Sequence, residues 1–150
     1  MRLKAMAKIN LGLDVLGKRE DGYHEVRMIM QTIRMYDILD IRKTRRPGIV
    51  LTTNLPFIPT DQRNLVYKAA QMLMEEFDVE EGLSIKLRKF IPVAAGMAGG
   101  SSDAAAAFVG VNRMFHLGLT EEQLMERAVK VGADVPYCIM RGTARCGGNR

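Results

Sequence analysis

Leu83-Ser84-Ile85-Lys86-Leu87-Arg88 alternates apolar and polar side chains without a slip, which predicts a strand with one face buried and one wet. Met6 to Leu16 mixes small and apolar residues with Lys8, Asn10 and Asp14, the pattern of a strand with one polar face. After a turn at Glu20-Asp21-Gly22, Val26 to Ile33 predicts a second strand. Ile38 to Lys43 and Ile49 to Thr53 flank Pro47-Gly48 and read as a hairpin, with a proline-bounded connection from Leu55 to Pro59 behind it.

Helical spacing takes over next. Leu65, Ala69, Leu73 and Phe77 fall on one stripe, predicting a helix from about Gln62 to Asp78 that packs on one side. Thr120-Glu121-Glu122-Gln123 is a capping box for a helix whose buried stripe is Leu124, Ala128 and Val131 and whose stop is Gly132. Val135 to Met140 reads as a final short strand, and Gly147-Gly148-Asn149-Arg150 as a frayed tail. The sum is one α+β domain, a mainly antiparallel sheet with helices on one face.

The stretch PVAAGMAGGSSDAAAAF, residues 92–108, carries the candidate chemistry. Four alanines after Asp103 are strong helix formers, and Ser101, Ser102 and Asp103 are types that accept bonds from the exposed amides of a helix start, so a helix is expected from about Ser101. Gly96, Gly99 and Gly100 let the loop adopt left-handed angles and let a ligand approach its amides. The first N–H groups of a helix lack internal partners and sit at the positive end of its dipole, so a phosphate satisfies both deficits. The alternative is a tight turn whose glycines serve only close packing of the alanine helix. Neither G-x-x-x-x-G-K-[ST] nor G-x-G-x-x-G occurs here, which sets aside the two best-known phosphate loops.

With 150 residues, 47% of them hydrophobic, the chain has material for one core of ordinary size. A net charge of +5 suits an anionic partner, whether nucleotide or nucleic acid. The most basic stretch, Arg42-Lys43-Thr44-Arg45-Arg46, has no interleaved aromatic residues for base stacking and reads as a solvated tip. Cys138 and Cys146 are too few for a disulfide framework and lack C-x-x-C spacing. A reducing cytoplasm is expected, with no export signal and no membrane span.

The P-x-x-x-G-x-x-x-x-S-S run of residues 92–102 resembles the loop of the GHMP kinases, which phosphorylate galactose, homoserine, mevalonate and phosphomevalonate. Within that superfamily the chain is most similar to the 4-diphosphocytidyl-2-C-methyl-D-erythritol kinases. Three blocks carry the likeness: Ala7-Lys8-Ile9-Asn10-Leu11 continuing through Gly17 to His24, then Ile91 to Ala106, then Gly132-Ala133-Asp134-Val135-Pro136.

The resemblance implies transfer of the γ-phosphate of ATP, accompanied by Mg2+, to the 2-hydroxyl of a cytidine diphosphate-linked methylerythritol. It implies Asp134 as the base that accepts the hydroxyl proton and Lys8 as the cation beside it. Asn10, Tyr23 and His24 are implied as substrate contacts, Tyr23 by stacking on cytosine and His24 by hydrogen bonding. Asn64 and Lys89 are implied near ATP, together with Pro92, Ala94, Ala95, Gly96, Met97, Ala98, Gly99, Gly100, Ser101 and Ser102; Ser102 is the candidate metal contact, and the metal ligands are otherwise unassigned. Read alone, Asp134 is a turn residue, Lys8 a solvated strand lysine, Asn10 an edge-strand polar contact, and Asp21 to His24 a surface turn. Members of the family are about twice this length, with a second domain after the first, so the chain is expected to hold the N-terminal half and to be impaired by itself. A nucleotide-binding module without catalysis and a basic RNA-binding domain are the other classes compatible with these residues.

Overall fold

The structure, a computed structural model, describes residues 1–149, with side chains through residue 142. In chain order it contains β1 (Arg2–Lys18), β2 (His24–Thr44), β3 (Ile49–Thr53), α1 (Leu65–Glu76), β4 (Gly82–Arg88), α2 (Gly99–Met114), α3 (Glu121–Ala128), α4 (Val135–Met140) and β5 (Thr143–Asn149). The strands form one sheet in the order β1-β2-β4-β3, with β5 also on β2. Among the described residues only β3 with β4 is parallel, so the expected mainly antiparallel α+β sheet is what forms.

The core lies between this sheet and its helices. Leu39 and Ile41 of β2 and Leu83, Ile85 and Leu87 of β4 point inward and are at most 1% exposed. They join Val66, Ala69 and Leu73 of α1 and Phe108 and Val111 of α2 in one cluster. Each Val, Leu, Ile or Phe side chain among them contributes about 1.5–3 kcal/mol on burial. Ala104 to Ala107 are buried too, and a Cβ on Gly110 would lie 2.6 Å from Ile41 Cδ1. Small side chains therefore bring α2 close onto the sheet, so the close-packing reading of the alanine run holds for this helix.

β2 unites what reads in the sequence as two strands, Val26–Ile33 and Ile38–Lys43. Its buried positions are Val26, Met28 and Met30, then Asp37, Leu39 and Ile41, so the inward parity changes between the two runs. The change falls where the register against β1 breaks, with Met6 opposite Tyr36 but Lys8 opposite Thr32. A strand with extra residues at an irregularity keeps its hydrogen-bonding neighbour while its side chains swap faces.

Four further expectations are corrected. Ile38–Lys43 and Ile49–Thr53 do not pair as a hairpin, because β4 lies between them, antiparallel to β2 and parallel to β3. The connection from β2 to β3 passes over the start of β4, where a Cβ on Gly82 would sit 1.8 Å from Arg46 O; only glycine fits beneath it. Val135–Met140 is helix rather than strand, with Pro136 in the first turn, where its missing N–H costs no bond. Six residues that are mostly buried show no period that separates helix from strand. α1 starts at Leu65, capped by Asn64 Oδ1 accepting from Val66 N–H at 2.9 Å, and not at Gln62. The tail is not frayed: β5 pairs from Thr143 opposite Gln31 to Asn149 opposite Glu25, since backbone pairing needs no apolar side chain. Arg150 and the side chain of Cys146 lie outside the described residues. The capping box on α3 forms as the sequence predicts.

Candidate functional site

β4 ends on the inward face and hands the chain to the glycine loop, which returns as α2. The helix begins at Gly99, two residues before the predicted Ser101, and its N-cap is Ala98 at φ 55°, with no side-chain cap. Ala94 at φ 60° and Gly96 at φ 72° are left-handed as well. For an alanine that conformation is strained by about 1–2 kcal/mol, which the surrounding contacts must offset. Two bonds tie the loop and helix to β1: Lys8 N–H donates to Met97 O at 3.1 Å, and Ser102 Oγ donates to Met6 O.

The first bond within α2 runs from Ser102 N–H to Ala98 O at 2.8 Å. The amides of Gly99, Gly100 and Ser101 therefore have no helical carbonyl one turn back. All three residues line a cleft of about 560 Å³, together with the loop from Pro92 to Ala98. The cradle is thus open, with room beside it for a phosphate chain.

Asp134 and Lys8 occupy the same cleft. Lys8 is 2% exposed, and its Nζ lies 3.9 Å from Asp134 Oδ2 and 3.2 Å from Asn10 Oδ1. Asp134 lines the cleft from the N-cap position of α4, where its side chain makes no cap bond to the helix. An ammonium between a carboxylate and the amide cradle can bridge a base and a moving phosphoryl group.

Of the residues singled out from the sequence, Lys8, Asn10, Asn64, Lys89, Pro92, Ala94, Ala95, Gly96, Met97, Ala98, Gly99, Gly100, Ser101 and Asp134 all line this cleft. Asn64 also fixes its rim, its Nδ2 donating to Pro59 O at 2.9 Å. Ser102 turns away: it is 3% exposed and its hydroxyl is engaged with Met6 O, so it is not placed to hold a metal. Tyr23 and His24 stand outside the cleft. They lie at the turn between β1 and β2, with Lys18 opposite His24, and Tyr23 is 57% exposed. At roughly 3.3 Å per residue, about 30 Å of strand separates that turn from Lys8.

Lys89 is employed differently from a solvent-facing nucleotide contact. Its Nζ lies 2.6 Å from Asp37 Oδ2 and 2.6 Å from Asp103 Oδ2, with all three residues at most 8% exposed. Burial pushes the Asp103 carboxyl well above the ordinary carboxylate value, and the neighbouring Asp37 adds to this against the pull of Lys89. Burial opposes the Lys89 ammonium, yet Asp103 and Asp37 hold it above its ordinary value. Sequence reading missed Asp37 altogether. The signal was present: Asp37 has the parity of Leu39 and Ile41, and Lys89 that of Leu83, Ile85 and Leu87. Cys138, also buried, has its thiol pushed up to about 12 and is no nucleophile.

Comparison with known proteins bears on what this arrangement is for. Residues 64–142 match the family described as GHMP kinases N terminal domain. Over 148 residues the chain is 56% identical to a 4-diphosphocytidyl-2-C-methyl-D-erythritol kinase of Caldicellulosiruptor bescii, covering 99% of this chain and 52% of the relative. It is 57% identical over 142 residues to a protein of the same description from Lachnoclostridium phytofermentans, covering 95% of this chain and 49% of the relative. The crystal structure of a 4-(cytidine 5'-diphospho)-2C-methyl-D-erythritol kinase superposes with a TM-score of 0.87 at 34% identity, over 99% of this chain and 52% of that one. A mevalonate kinase crystal structure shares the fold, with a TM-score of 0.76 at 16% identity, over 100% of this chain and 55% of that one. The chain spans about half the length of the curated relatives it matches.

Proposed function

The chain belongs to the GHMP kinase family, whose N-terminal domain it carries, and from that premise we propose that it forms the ATP-holding half of a small-molecule kinase. The reaction is transfer of the γ-phosphate of ATP to the 2-hydroxyl of 4-diphosphocytidyl-2-C-methyl-D-erythritol, a step of the non-mevalonate route to isoprenoids. One observation carries this reading: three helix-start amides open onto a cleft that also holds a carboxylate and a buried ammonium. The names of the relatives support the choice of acceptor.

In this reading the amides of Gly99, Gly100 and Ser101 take the phosphates, Asp134 accepts the hydroxyl proton, and Lys8 stabilises charge on the transferred group. Asn10, beside Lys8, orients the acceptor hydroxyl. Magnesium accompanies ATP. Such an ion would lean on phosphate oxygens and keep most of its waters; among the described residues no trio of His, Cys, Asp or Glu is gathered for a metal. Tyr23 and His24 act as base contacts only if the cytidine end extends along the β1–β2 ribbon. The setting is cytoplasmic, a reading supported by the free, buried thiol of Cys138. Among the described residues no helix is long and apolar enough to cross a membrane.

A second reading is a nucleotide-binding module without turnover, favoured by the half-length match. Phosphoryl transfer depends on holding donor and acceptor in line, and a misplacement of about 1 Å costs roughly a hundredfold in rate. The chain alone is accordingly a weak catalyst. Calorimetry with MgATP, then 31P NMR of product formation with the cytidine substrate, tests both readings, with Asp134→Asn as control. The expected result is ATP binding with slow transfer that Asp134→Asn removes. Turnover matching a full-length relative overturns the impairment, and absence of ATP binding overturns the kinase reading.

A further inference from the structure

Lys89, Asp37 and Asp103 come from three elements and meet at the foot of the glycine loop. Asp37 lies on β2 one residue before the Ile38–Arg88 pair, so continuing the register sets it opposite Lys89. Its Oδ2 takes the Lys89 ammonium, and its Oδ1 accepts from the backbone N–H groups of Phe90 and Ile91, the latter at 2.8 Å. Asn54 clamps the same segment, its Oδ1 accepting Lys89 N–H at 2.8 Å and its Nδ2 donating to Lys89 O at 3.2 Å. The entrance of the loop is therefore fixed.

Its exit is fixed by the same ammonium. Asp103, in the second turn of α2, takes the other bond from Lys89 Nζ. A Cβ on Gly99 would lie 3.2 Å from that Nζ and 3.2 Å from Ile91 Cγ2, so the first residue of α2 rests directly on the pin. Asp103 Oδ1 is buried and has no hydrogen-bond partner, although Asp103 lines the cleft. A core needing only stability has little use for two carboxylates around one buried ammonium, because an apolar trio of similar volume is commonly as stable or more so. What the charged trio supplies is a fixed distance between entrance and exit of a loop that is strained at Ala94 and Ala98.

We propose that Asp37 and Asp103 are positioning residues for the phosphate cradle: through Lys89 they hold residues 94–101 in the shape that presents the helix-start amides. This rests on the kinase reading for its purpose but not for its geometry. Lys89 is then a structural pin whose ammonium is withheld from the nucleotide.

The experiment compares Asp103→Ala and Asp103→Asn with the parent chain by amide hydrogen exchange and by calorimetry with MgATP. Asp103→Ala leaves Lys89 paired with Asp37 as a neutral couple and extends the alanine run, so the fold survives. In Asp103→Ala, exchange at residues 94–101 rises by about tenfold or more while β4 and α3 keep their protection. ATP binding weakens by about tenfold, and Asp103→Asn, which keeps an acceptor for Lys89, restores it to within about threefold. Unchanged loop exchange in Asp103→Ala overturns the proposal, as does an equal rise in exchange across β4 and α3. If Asp103→Ala does not fold, Asp103→Asn is read alone, and loop exchange indistinguishable from the parent in its presence at pH 5 and pH 8 together with unweakened ATP binding supports the acceptor role, whereas global loss of protection overturns it. Failure of the parent chain to bind ATP removes the kinase reading and leaves the exchange result to decide the pin.

Discussion

β1 leads two lives along its length. From Leu3 to Lys8 it lies against the core, with Ala5, Ala7 and Lys8 at most 2% exposed and backbone bonds to the glycine loop and α2. From Leu11 to Leu16 the same strand leaves Leu11, Leu13, Val15 and Leu16 between 49% and 60% exposed, on a ribbon that ends at Tyr23 and His24. The first region is preorganised by buried ions and close packing. The second is carried by its ladder with β2, whose Val26, Met28 and Met30 are buried, while its own apolar side chains contribute little until something covers them. On the proposed kinase reading, the part that would face phosphate is built from buried, packed residues, while the part that would meet the cytidine end is exposed.

Breaking the pinned region gives the largest effect. Lys89→Met removes the ammonium and leaves Asp37 and Asp103 buried without a cation, lowering stability by about 3–5 kcal/mol in urea unfolding; a loss below about 1 kcal/mol erases the contrast between the two regions. Gly82→Ala forces a methyl into Arg46 O and costs about 1–3 kcal/mol by the same measurement.

A smaller effect comes from pH. Asp103 keeps its proton in the fold to a higher pH than the 3.8 of an ordinary aspartate, so between those values the folded chain binds more protons than the unfolded one. Stability then falls as pH rises through that window. Asp103→Asn flattens the slope, and a melting-temperature series from pH 4 upward that shows identical slopes in the two proteins contradicts the buried acid. The smallest effect belongs to the ribbon: Leu13→Ser shifts stability by no more than about 0.5 kcal/mol, because the leucine is already 56% exposed. A larger loss there means the ribbon is covered in solution.

Strand alternation made most of the sheet legible, including the inward face of β4 and the surface on which Lys89 sits. The hairpin expected across Pro47-Gly48 failed because pairing partners in a sheet are chosen by the whole core, and nothing local to that turn reveals that β4 will insert. α4 failed because six residues buried nearly all round have no readable period. The loop motif named the cleft residues, yet the caps expected of Ser101, Ser102 and Asp103 did not form: Ser102 went to Met6 and Asp103 to Lys89, contacts 96 and 14 residues away in the chain. Distant partners of that kind lie beyond any pattern local to the motif.

The bonds from Met6 and Lys8 to the loop and α2 make the extreme N-terminus a mechanical part of the cradle. Peeling back the first eight residues, by a bulky fusion or an N-terminal deletion, would withdraw the buried lysine and slacken the glycine turn in one movement, although the two are some ninety positions apart along the polypeptide.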